Sequence, residues 1–381
     1  MDPADRHNGQ EPSIRHEVTG PAPSARRPPV ALFDFFSGAG GTAEGMRQAG
    51  AEVVAAIEYD VDAAATYALN HPNARVFAKD IAAVTVNDLR PLVRRARAAG
   101  QRVLFCACAP CQPFSKQRSK RLARRNSRDA RYYILREFLR FAEDFEPDFV
   151  FCENVPEAEH WEGTRGHPIR ELVSFLHGVG YATRSEVVDC RDYGVPQRRA
   201  RWVLLGSRDV AVSWPRRTHG PGRGRAWVTV GEALHGLPPL HAGQASPTDP
   251  VHCAANLSPI NLARIQATPV GGSRRDWPEE LVLACHRGLD HSYTDVYGRL
   301  RDDEPASAMT TRCNSLSNGR FGHPTQHRAI SIREAACLQT FPRTYRFVGV
   351  QMSMARQVGN AVPVELARRF GSAIVRVARG G

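Results

Sequence analysis

The sequence predicts an α/β fold with a mostly parallel sheet, together with a smaller region that is rich in loops. Short apolar runs alternate with helical patterns from residue 30 to about 210, which is typical of a parallel sheet. Five of these runs end at a polar or reactive residue. From Ser207 to about Gln326 the chain instead has many Gly, Pro, His and Arg residues between short runs, which predicts loops.

We expect four segments along the 381 residues. Residues 1–28 lack a periodic apolar pattern and are predicted to be a disordered tail. Residues 29–209 are predicted to form the sheet domain, and residues 210–326 the loop-rich domain. Residues 327–381 regain helical character and are expected to return to the sheet domain.

Composition limits the class of protein. The formal net charge is +12, from 51 Lys+Arg against 39 Asp+Glu, which favours a polyanionic partner, nucleic acid first. No run of about 18 apolar residues and no signal pattern is present, so we expect a cytoplasmic protein without a membrane partner. Nine irregularly spaced cysteines favour a reduced compartment.

The first strand, residues 30–36, runs into the glycine turn SGAGGT and a helix over 43–49. In this geometry backbone N–H groups can face a nucleotide-like ligand. A second strand over 52–57 ends at Glu58, 20 residues after Gly38, where a carboxylate suits ribose hydroxyls. The turn departs from the G-x-G-x-x-G pattern, which argues against a nicotinamide cofactor.

The third strand ends near Asp80. Its carboxylate could accept a hydrogen bond from an adenine amino group, and the alternative is that Asp80 only caps a turn or helix. Helices are predicted over residues 61–70, 88–99, 132–144, 170–177, 331–339 and 364–379, with Ser331 as a cap. Further strands are predicted over residues 102–108, 149–152, 181–189 and 202–206.

The fourth strand leads to Cys111 in a turn bracketed by Pro110 and Pro113. This position presents a thiol at the carboxyl end of a strand, where ligands bind in open α/β sheets, and suits a nucleophile. Two alternatives stay open, a small buried hydrophobic residue and a metal site formed by residues 106–111. We disfavour the metal site because strand alternation separates neighbouring cysteines.

Taken in order, the motifs of the chain resemble those of the DNA (cytosine-5)-methyltransferase family. The resemblance covers about 30–210 and 327–381. The matching segments are residues 33–41 (FDFFSGAGG), 110–112 (PCQ), 153–155 (ENV), 197–201 (QRRAR), 333–342 (REAACLQTFP) and 359–362 (GNAV). The resemblance implies a Rossmann-like S-adenosylmethionine-dependent methyltransferase fold, with residues 29–209 as the catalytic and cofactor-binding domain and 210–326 as the target-recognition domain.

The resemblance also implies S-adenosylmethionine as the cofactor. Glu58 would bind the ribose, Tyr59 would stack on the adenine, and Asp80 and Ile81 would bind the adenine edge. The full expected cofactor set is Asp34, Phe36, Ser37, Gly38, Gly40, Glu58, Tyr59, Asp80, Ile81, Pro110, Asn360 and Val362. No metal is expected.

For catalysis, the resemblance implies that Cys111 adds to carbon 6 of a flipped cytosine and so activates carbon 5. Because an unperturbed thiol has a pKa of about 8.5, a neighbouring cation such as Arg199 or Arg201 would raise the thiolate fraction. Glu153 would offset the charge at N3 if it is protonated or shares a proton, and the alternative is an ion pair with an arginine. Asn154 would orient the loop, and Gln112 completes the expected catalytic set.

The expected partner is double-stranded DNA, bound by a monomer. The expected DNA contacts are Ser115, Lys116, Arg118, Gln197, Arg312 and Arg320, and the last two are expected to read guanine. The basic segment over 116–128 would bind phosphates or be a flexible solvated loop. A cognate restriction endonuclease is a possible companion. The rival interpretations are a tRNA cytosine methyltransferase and a DNA-binding regulator without turnover.

Overall fold

The computed structural model describes residues 28–109, 134–160, 167–287 and 295–380. Its strands are β1 (Val30–Phe35), β2 (Glu52–Ile57), β3 (Arg75–Phe77), β4 (Arg102–Ala107), β5 (Phe149–Asn154), β6 (Ala182–Asp189), β7 (Gln197–Arg198), β8 (Ala200–Ser207) and β9 (Ala306–Ser307). Seven of them form one sheet in the order β3-β2-β1-β4-β5-β8-β6, and β7 pairs with β9 in a separate two-stranded sheet.

The seven-stranded sheet is parallel from β3 to β5, and β8 runs antiparallel to both of its neighbours. The strand order reverses between β1 and β4, where open α/β sheets bind ligands. Because β8 is antiparallel, its first residues lie at the same edge as the last residues of β1, β2, β4 and β5. The predicted Rossmann-like, mostly parallel sheet is confirmed.

The described helices are α1 (Gly41–Gln48), α2 (Val61–Asn70), α3 (Val86–Ala98), α4 (Ile134–Phe145), α5 (Pro168–Gly178), α6 (Val230–Leu234), α7 (Pro259–Ala267), α8 (Ile332–Leu338), α9 (Gln351–Asn360) and α10 (Val364–Ala378). Six of them cover the two faces of the seven-stranded sheet. Side chains of α3, α4 and α5 pack on one face with Phe33 and Phe35 of β1. Those of α1, α2 and α10 pack on the other with Val30 and Leu32, so strand alternation supplies both cores.

The α1–α10 contact makes the last helix part of the sheet domain. A β-carbon at Gly45 would lie 2.4 Å from the carbonyl oxygen of Val364 and 2.6 Å from the side chain of Ala367. Only glycine allows the two helices to approach this closely. Helix α10 therefore packs closely on α1, and the bounds of the C-terminal segment stay a prediction.

Helix α9 is missing from the sequence prediction, which treats residues 357–363 as the connection into the last helix. The buried residues of α9 include Ser353, Gln357 and Gly359, which are not apolar, so the helix lacks a clear hydrophobic period. Strand β5 is also longer than predicted and includes Glu153 and Asn154. Ser331 caps α8 as predicted, in a capping box with Glu334.

Residues 210–326 contain few regular elements where the structure describes them, in agreement with the predicted loop-rich texture. Two apolar clusters stabilise this part. One includes Val230, Leu300, Met309 and Phe321 and continues into α8 and α9, and the other is built around Ile265 and Trp277. The domain boundaries at 209/210 and 326/327 stay predictions.

None of the helices within the described ranges is long and apolar enough to cross a bilayer.

Candidate active site

A cavity lies at the sheet edge where β1, β2, β4 and β5 end and β8 begins. It encloses about 1180 Å³ of space, part of it open to solvent. Nine residues of the expected cofactor set line it: Phe36, Ser37, Gly38, Glu58, Tyr59, Asp80, Ile81, Asn360 and Val362. Glu153, Arg199 and Arg201 of the expected catalytic set line the same cavity.

The glycine turn after β1 forms one wall. Phe36 and Gly38 have positive φ values of 57° and 52°, which reverse the chain directly after the strand. The N–H of Gly38 donates to Oε2 of Glu58 at 2.7 Å. Ser37 Oγ is buried and makes no hydrogen bond to any described residue, so it is free to bond a polar ligand.

Glu58 is fixed at the end of β2 by two backbone donors. Besides Gly38, the N–H of Asp60 donates to its Oε1 at 2.8 Å. Burial raises the pKa of Glu58, while these two N–H groups oppose the rise because they stabilise the ionised form. The carboxylate is therefore held in one orientation towards the cavity, as binding of two vicinal hydroxyls requires.

The adenine side of the expected site is open. The Tyr59 side chain is 63% exposed and lies on the cavity wall, where it can stack on a flat ring. Asp80 also lines the cavity, but its Oδ1 accepts from the N–H of Ala82 at 2.9 Å and caps a short 3-10 turn. The capping alternative for Asp80 is thus observed, and its second carboxylate oxygen is still available for a ligand.

The C-terminal segment closes the cavity against the glycine turn. A β-carbon at Gly41 would lie 2.3 Å from the carbonyl oxygen of Val362, so glycine is required for this approach. Asn360, at the end of α9, and Val362 lie on the wall beside the turn. The last predicted motif therefore meets the first.

Glu153 and Arg201 form an ion pair across β5 and β8. Arg201 Nε lies 2.8 Å from Glu153 Oε1, and the two side chains are 12% and 9% exposed. The two atoms are not aligned as a hydrogen bond, and Oε1 has no other hydrogen-bond partner in the described chain. The ion-pair alternative for Glu153 is thus observed, and hydrogen-bonding capacity is left for a ligand.

Asn154 anchors the start of the cysteine loop. Its Nδ2 donates to the carbonyl oxygen of Ala109 at 3.2 Å, and its Oδ1 accepts from the N–H of Val155 at 2.9 Å. Ala109 and Ile134 both line the cavity. In the sequence, Cys111 comes between Ala109 and Ile134, outside the described residues, as do Pro110, Gln112, Ser115, Lys116, Arg118 and the basic segment over 116–128.

Arg199 lies on the cavity wall and also holds two segments of the chain together. Its guanidinium donates to the carbonyl oxygens of Met309 at 2.8 Å and of Gly359 and Ala361 at 3.2 Å each. These contacts join the link between β7 and β8 to the inserted region and to the end of α9. Positioning of the cavity walls is a role that sequence reasoning missed for Arg199.

Four expected site residues need correction. Asp34 and Gly40 do not line the cavity: Asp34 lies within β1 and Gly40 within the glycine turn, and both are near Tyr67. Gln197 is fully buried, and its Nε2 donates to the carbonyl oxygen of Leu338 and to Oε1 of Gln339, so its side chain is not exposed to DNA.

Arg320 is the fourth of these residues. Its Nη1 donates to the carbonyl oxygens of Gly271 and Gly272, at 2.7 Å each, so the guanidinium is not free to read guanine. Arg312 is exposed, as a DNA contact requires, and its role stays a prediction.

The cavity also contains residues that sequence reasoning missed. Lys79, Thr42 and Cys108 line it, and so does Arg356 of α9. Arg356 donates to Asp60 Oδ2 at 2.7 Å and so bridges α9 to the start of α2 at the cavity rim. Since α9 itself was not predicted, no sequence signal placed Arg356 here.

Asp34 is expected to make stability depend on pH. Burial raises its pKa to about 8, against a weaker opposing effect of the Tyr67 hydroxyl. The folded chain therefore keeps a proton that the unfolded chain loses near 3.8, and stability falls as pH rises between these values. The asparagine side chain of the Asp34→Asn variant is neutral at every pH. The melting temperature of the variant minus that of the parent should therefore rise by several degrees from about pH 5 to about pH 8. If this melting-temperature difference does not change with pH, Asp34 is ionised in the folded chain.

Comparisons with known proteins find similar sequences and similar structures. A model of the C-5 cytosine-specific DNA methylase family matches residues 30–376. The chain is 38% identical over 355 residues to the Type II methylase M.HgiDII of Herpetosiphon aurantiacus, covering 92% of this chain and 96% of that one. It is 30% identical over 349 residues to the Type II methyltransferase M1.HphI of Haemophilus parahaemolyticus, covering 91% and 87%.

Two solved structures share the fold. One is a prophage-encoded E. coli protein assigned as a DNA modification methyltransferase, with a TM-score of 0.70 and 21% identity over 92% of this chain and 99% of that one. The other is the S. pombe Dnmt2 methyltransferase, with a TM-score of 0.54 and 17% identity over 92% of this chain and 98% of that one.

Proposed function

Because this chain belongs to the C-5 cytosine-specific DNA methylase family, we propose that it methylates carbon 5 of a cytosine flipped out of duplex DNA, using S-adenosylmethionine and a covalent bond from Cys111 to carbon 6. It is a DNA (cytosine-5)-methyltransferase. One observation carries the proposal: the Glu58-anchored glycine turn and the Glu153–Arg201 pair open into one cavity. A methyl donor and an extruded base would therefore meet there.

The residues of the cavity fit the cofactor. Glu58 would hold the ribose hydroxyls, Tyr59 the adenine face, and Ser37 Oγ a polar group of the donor. When bound, S-adenosylmethionine supplies an electrophilic methyl group on a sulfonium. The chain's part is to fix these groups and to keep water out, which Val362 and the close contact at Gly41 favour.

Carbon 5 of cytosine is a poor nucleophile until the ring is made electron-rich. The thiolate of Cys111 would form a bond to carbon 6, which pushes electrons towards carbon 5 and places negative charge towards N3. Carbon 5 would then take the methyl group as the sulfur–methyl bond breaks, which leaves S-adenosylhomocysteine. Water or a polar loop group would take the carbon 5 proton, and the electron pair of that C–H bond would restore the ring double bond and expel the Cys111 thiolate from carbon 6. The sequence of steps needs no oxidant or reductant.

Glu153 is the group best suited to the charge at N3. Its Oε1 lies 2.8 Å from Arg201 Nε without an aligned hydrogen bond, so the carboxyl group would be placed to share a proton with N3 of a base that enters the cavity. Arg201 would then lie close to the developing charge on the ring. Asn154 supports this arrangement because it fixes Ala109, which precedes Pro110 and Cys111.

The target atom cannot be reached inside a stacked duplex, so the base has to be flipped. We propose that the basic segment over 116–128 contacts phosphates on either side of that base, which adds affinity for DNA without specificity for a DNA sequence. Specificity for the DNA sequence would come from residues 210–326. The two Type II relatives support a role in a restriction–modification system, and a cognate endonuclease, a monomeric state and a cytoplasmic location stay predictions.

Transfer of a labelled methyl group to duplex DNA and to tRNA tests the function. We expect label in DNA cytosine and none in tRNA, and label in tRNA alone would favour the tRNA methyltransferase instead. Duplex DNA with 5-fluorocytosine at the target should trap the chain covalently, because fluorine cannot leave as a proton. No label in either substrate, together with DNA binding, would indicate a regulator without turnover.

A further inference from the structure

Tyr345 lies directly behind the glycine turn, on the side away from the cavity. Its hydroxyl donates to the carbonyl oxygen of Ala39 at 2.6 Å, although 306 residues separate the two in sequence. A β-carbon at Gly40 would lie 2.6 Å from this hydroxyl. The Tyr345 ring is buried against Phe341 and Phe347, with centroid distances of 4.8 and 5.4 Å.

The turn is therefore held from two sides by side chains that come from distant segments. Glu58 accepts from the N–H of Gly38 on the cavity side, and Tyr345 donates to the next residue, Ala39, from behind. These two bonds fix consecutive residues of a segment whose φ values are positive at Phe36, Gly38 and Gly40. Without the rear bond, the turn would have more freedom to rotate.

Tyr345 is in turn attached to the inserted region by Arg333 of α8. Arg333 Nη1 donates to the carbonyl oxygen of Tyr345 at 2.8 Å. The same guanidinium donates to both carboxylate oxygens of Asp249, from Nε at 2.6 Å and from Nη2 at 3.1 Å. The backbone N–H of Arg333 also donates to the carbonyl oxygen of Val251 at 3.1 Å.

We propose that Tyr345 is a positioning residue for cofactor binding, and that Asp249 and Arg333 make its position depend on the inserted region. The inference rests on the proposed use of S-adenosylmethionine. It is carried by a continuous series of hydrogen bonds from the half-buried Asp249 through the buried Arg333 and Tyr345 to Ala39. Any shift of the 249–253 segment on contact with DNA would reach the turn through these bonds, and by linkage cofactor binding would act back on that segment.

The first test is Tyr345→Phe in the full chain, which removes the hydroxyl and keeps the ring. Titration calorimetry with S-adenosylmethionine should show affinity lowered about threefold to tenfold, the effect of one net hydrogen bond. The affinity for a duplex without cofactor should change less than twofold. The KM for S-adenosylmethionine should rise with the affinity loss while kcat changes little, a separation that general destabilisation would not give.

Tyr181→Phe is the matched control. Tyr181 is also buried, and its hydroxyl also donates to a backbone carbonyl, that of Pro147, which precedes β5 at the opposite edge of the sheet. It should bind S-adenosylmethionine as the parent does. Equal losses in the two variants, or none in Tyr345→Phe, would overturn the proposal.

The second test addresses the link to the inserted region. Asp249→Asn should lower cofactor affinity about twofold to fivefold, and it should add little to Tyr345→Phe in the double variant. Asp303→Asn is its control, because Asp303 forms a similar two-point pair with Arg301 at an exposed position of the same region. Full additivity, or equal effects of Asp249→Asn and Asp303→Asn, would remove Asp249 and Arg333 from the proposal.

The parent titration separates this inference from the proposed function. If the parent fails to bind S-adenosylmethionine, the proposed cofactor is wrong, and the proposed role of Tyr345 is then wrong as well. If the parent binds and Tyr345→Phe binds equally well, only the role of Tyr345 is wrong.

Discussion

Replacing Cys111 by serine is expected to lower the rate of methyl transfer to duplex DNA by at least about 10³-fold. A serine hydroxyl is a far weaker nucleophile than a thiolate near neutral pH, so carbon 6 would not be attacked and carbon 5 would stay unreactive. Single-turnover incorporation of a labelled methyl group measures the effect. The covalent complex with 5-fluorocytosine DNA should disappear in the same variant.

The control for this experiment is Cys285→Ser. Cys285 is an exposed free thiol in the inserted region, so its replacement tests the chemical change alone. It should keep both methyl transfer and the covalent complex. Parental rates in Cys111→Ser would refute the assignment of the nucleophile, whatever the behaviour of the control.

Glu153→Gln is expected to lower methyl transfer about 10²- to 10⁴-fold, the range typical of lost proton transfer in a transition state. An amide has the shape of the carboxyl but cannot take up or share a proton as charge develops at N3. It also leaves Arg201 without its buried ion-pair partner, so some loss of melting temperature is expected. Affinities for DNA and for S-adenosylmethionine should change only a few-fold.

The control for Glu153→Gln is Glu146→Gln. Glu146 pairs with Arg208, and the two residues flank β5 and β8 at the opposite end from Glu153 and Arg201. Loss of this pair should leave the rate of methyl transfer unchanged. If Glu153→Gln methylates DNA at the parental rate, Glu153 is only a partner of Arg201 and the charge at N3 is offset by another group.

The sheet and most of the cavity could be predicted because both follow from local sequence. Each strand is a short apolar run, and in a parallel sheet the residue after such a run has to lie at the carboxyl edge. Glu58, Asp80 and Glu153 are therefore at the cavity although nothing in the sequence states that their strands are neighbours. The same reasoning explains why Arg201, at the start of an antiparallel strand, joins them.

The partners of buried polar side chains could not be predicted in this way. Gln197 and Arg320 resemble exposed DNA contacts in sequence, but their hydrogen-bond partners belong to distant segments, up to 142 positions away for Gln197. The Tyr345–Ala39 bond spans even more of the chain. Such contacts depend on how loops pack, for which local periodicity carries no signal.

The small β7–β9 sheet limits how the inserted region can be exchanged between relatives. Gln197 and Arg198 pair in parallel with Ala306 and Ser307, and Gln197 Oε1 also accepts from the N–H of Met309. A chimaera whose downstream junction falls after residue 309 would import a foreign strand into this register, and Arg199 would lose its native hydrogen-bond acceptor, the Met309 carbonyl oxygen. Grafts designed to change sequence preference should therefore retain native residues from 306 onward, even though that stretch precedes the next recognisable motif.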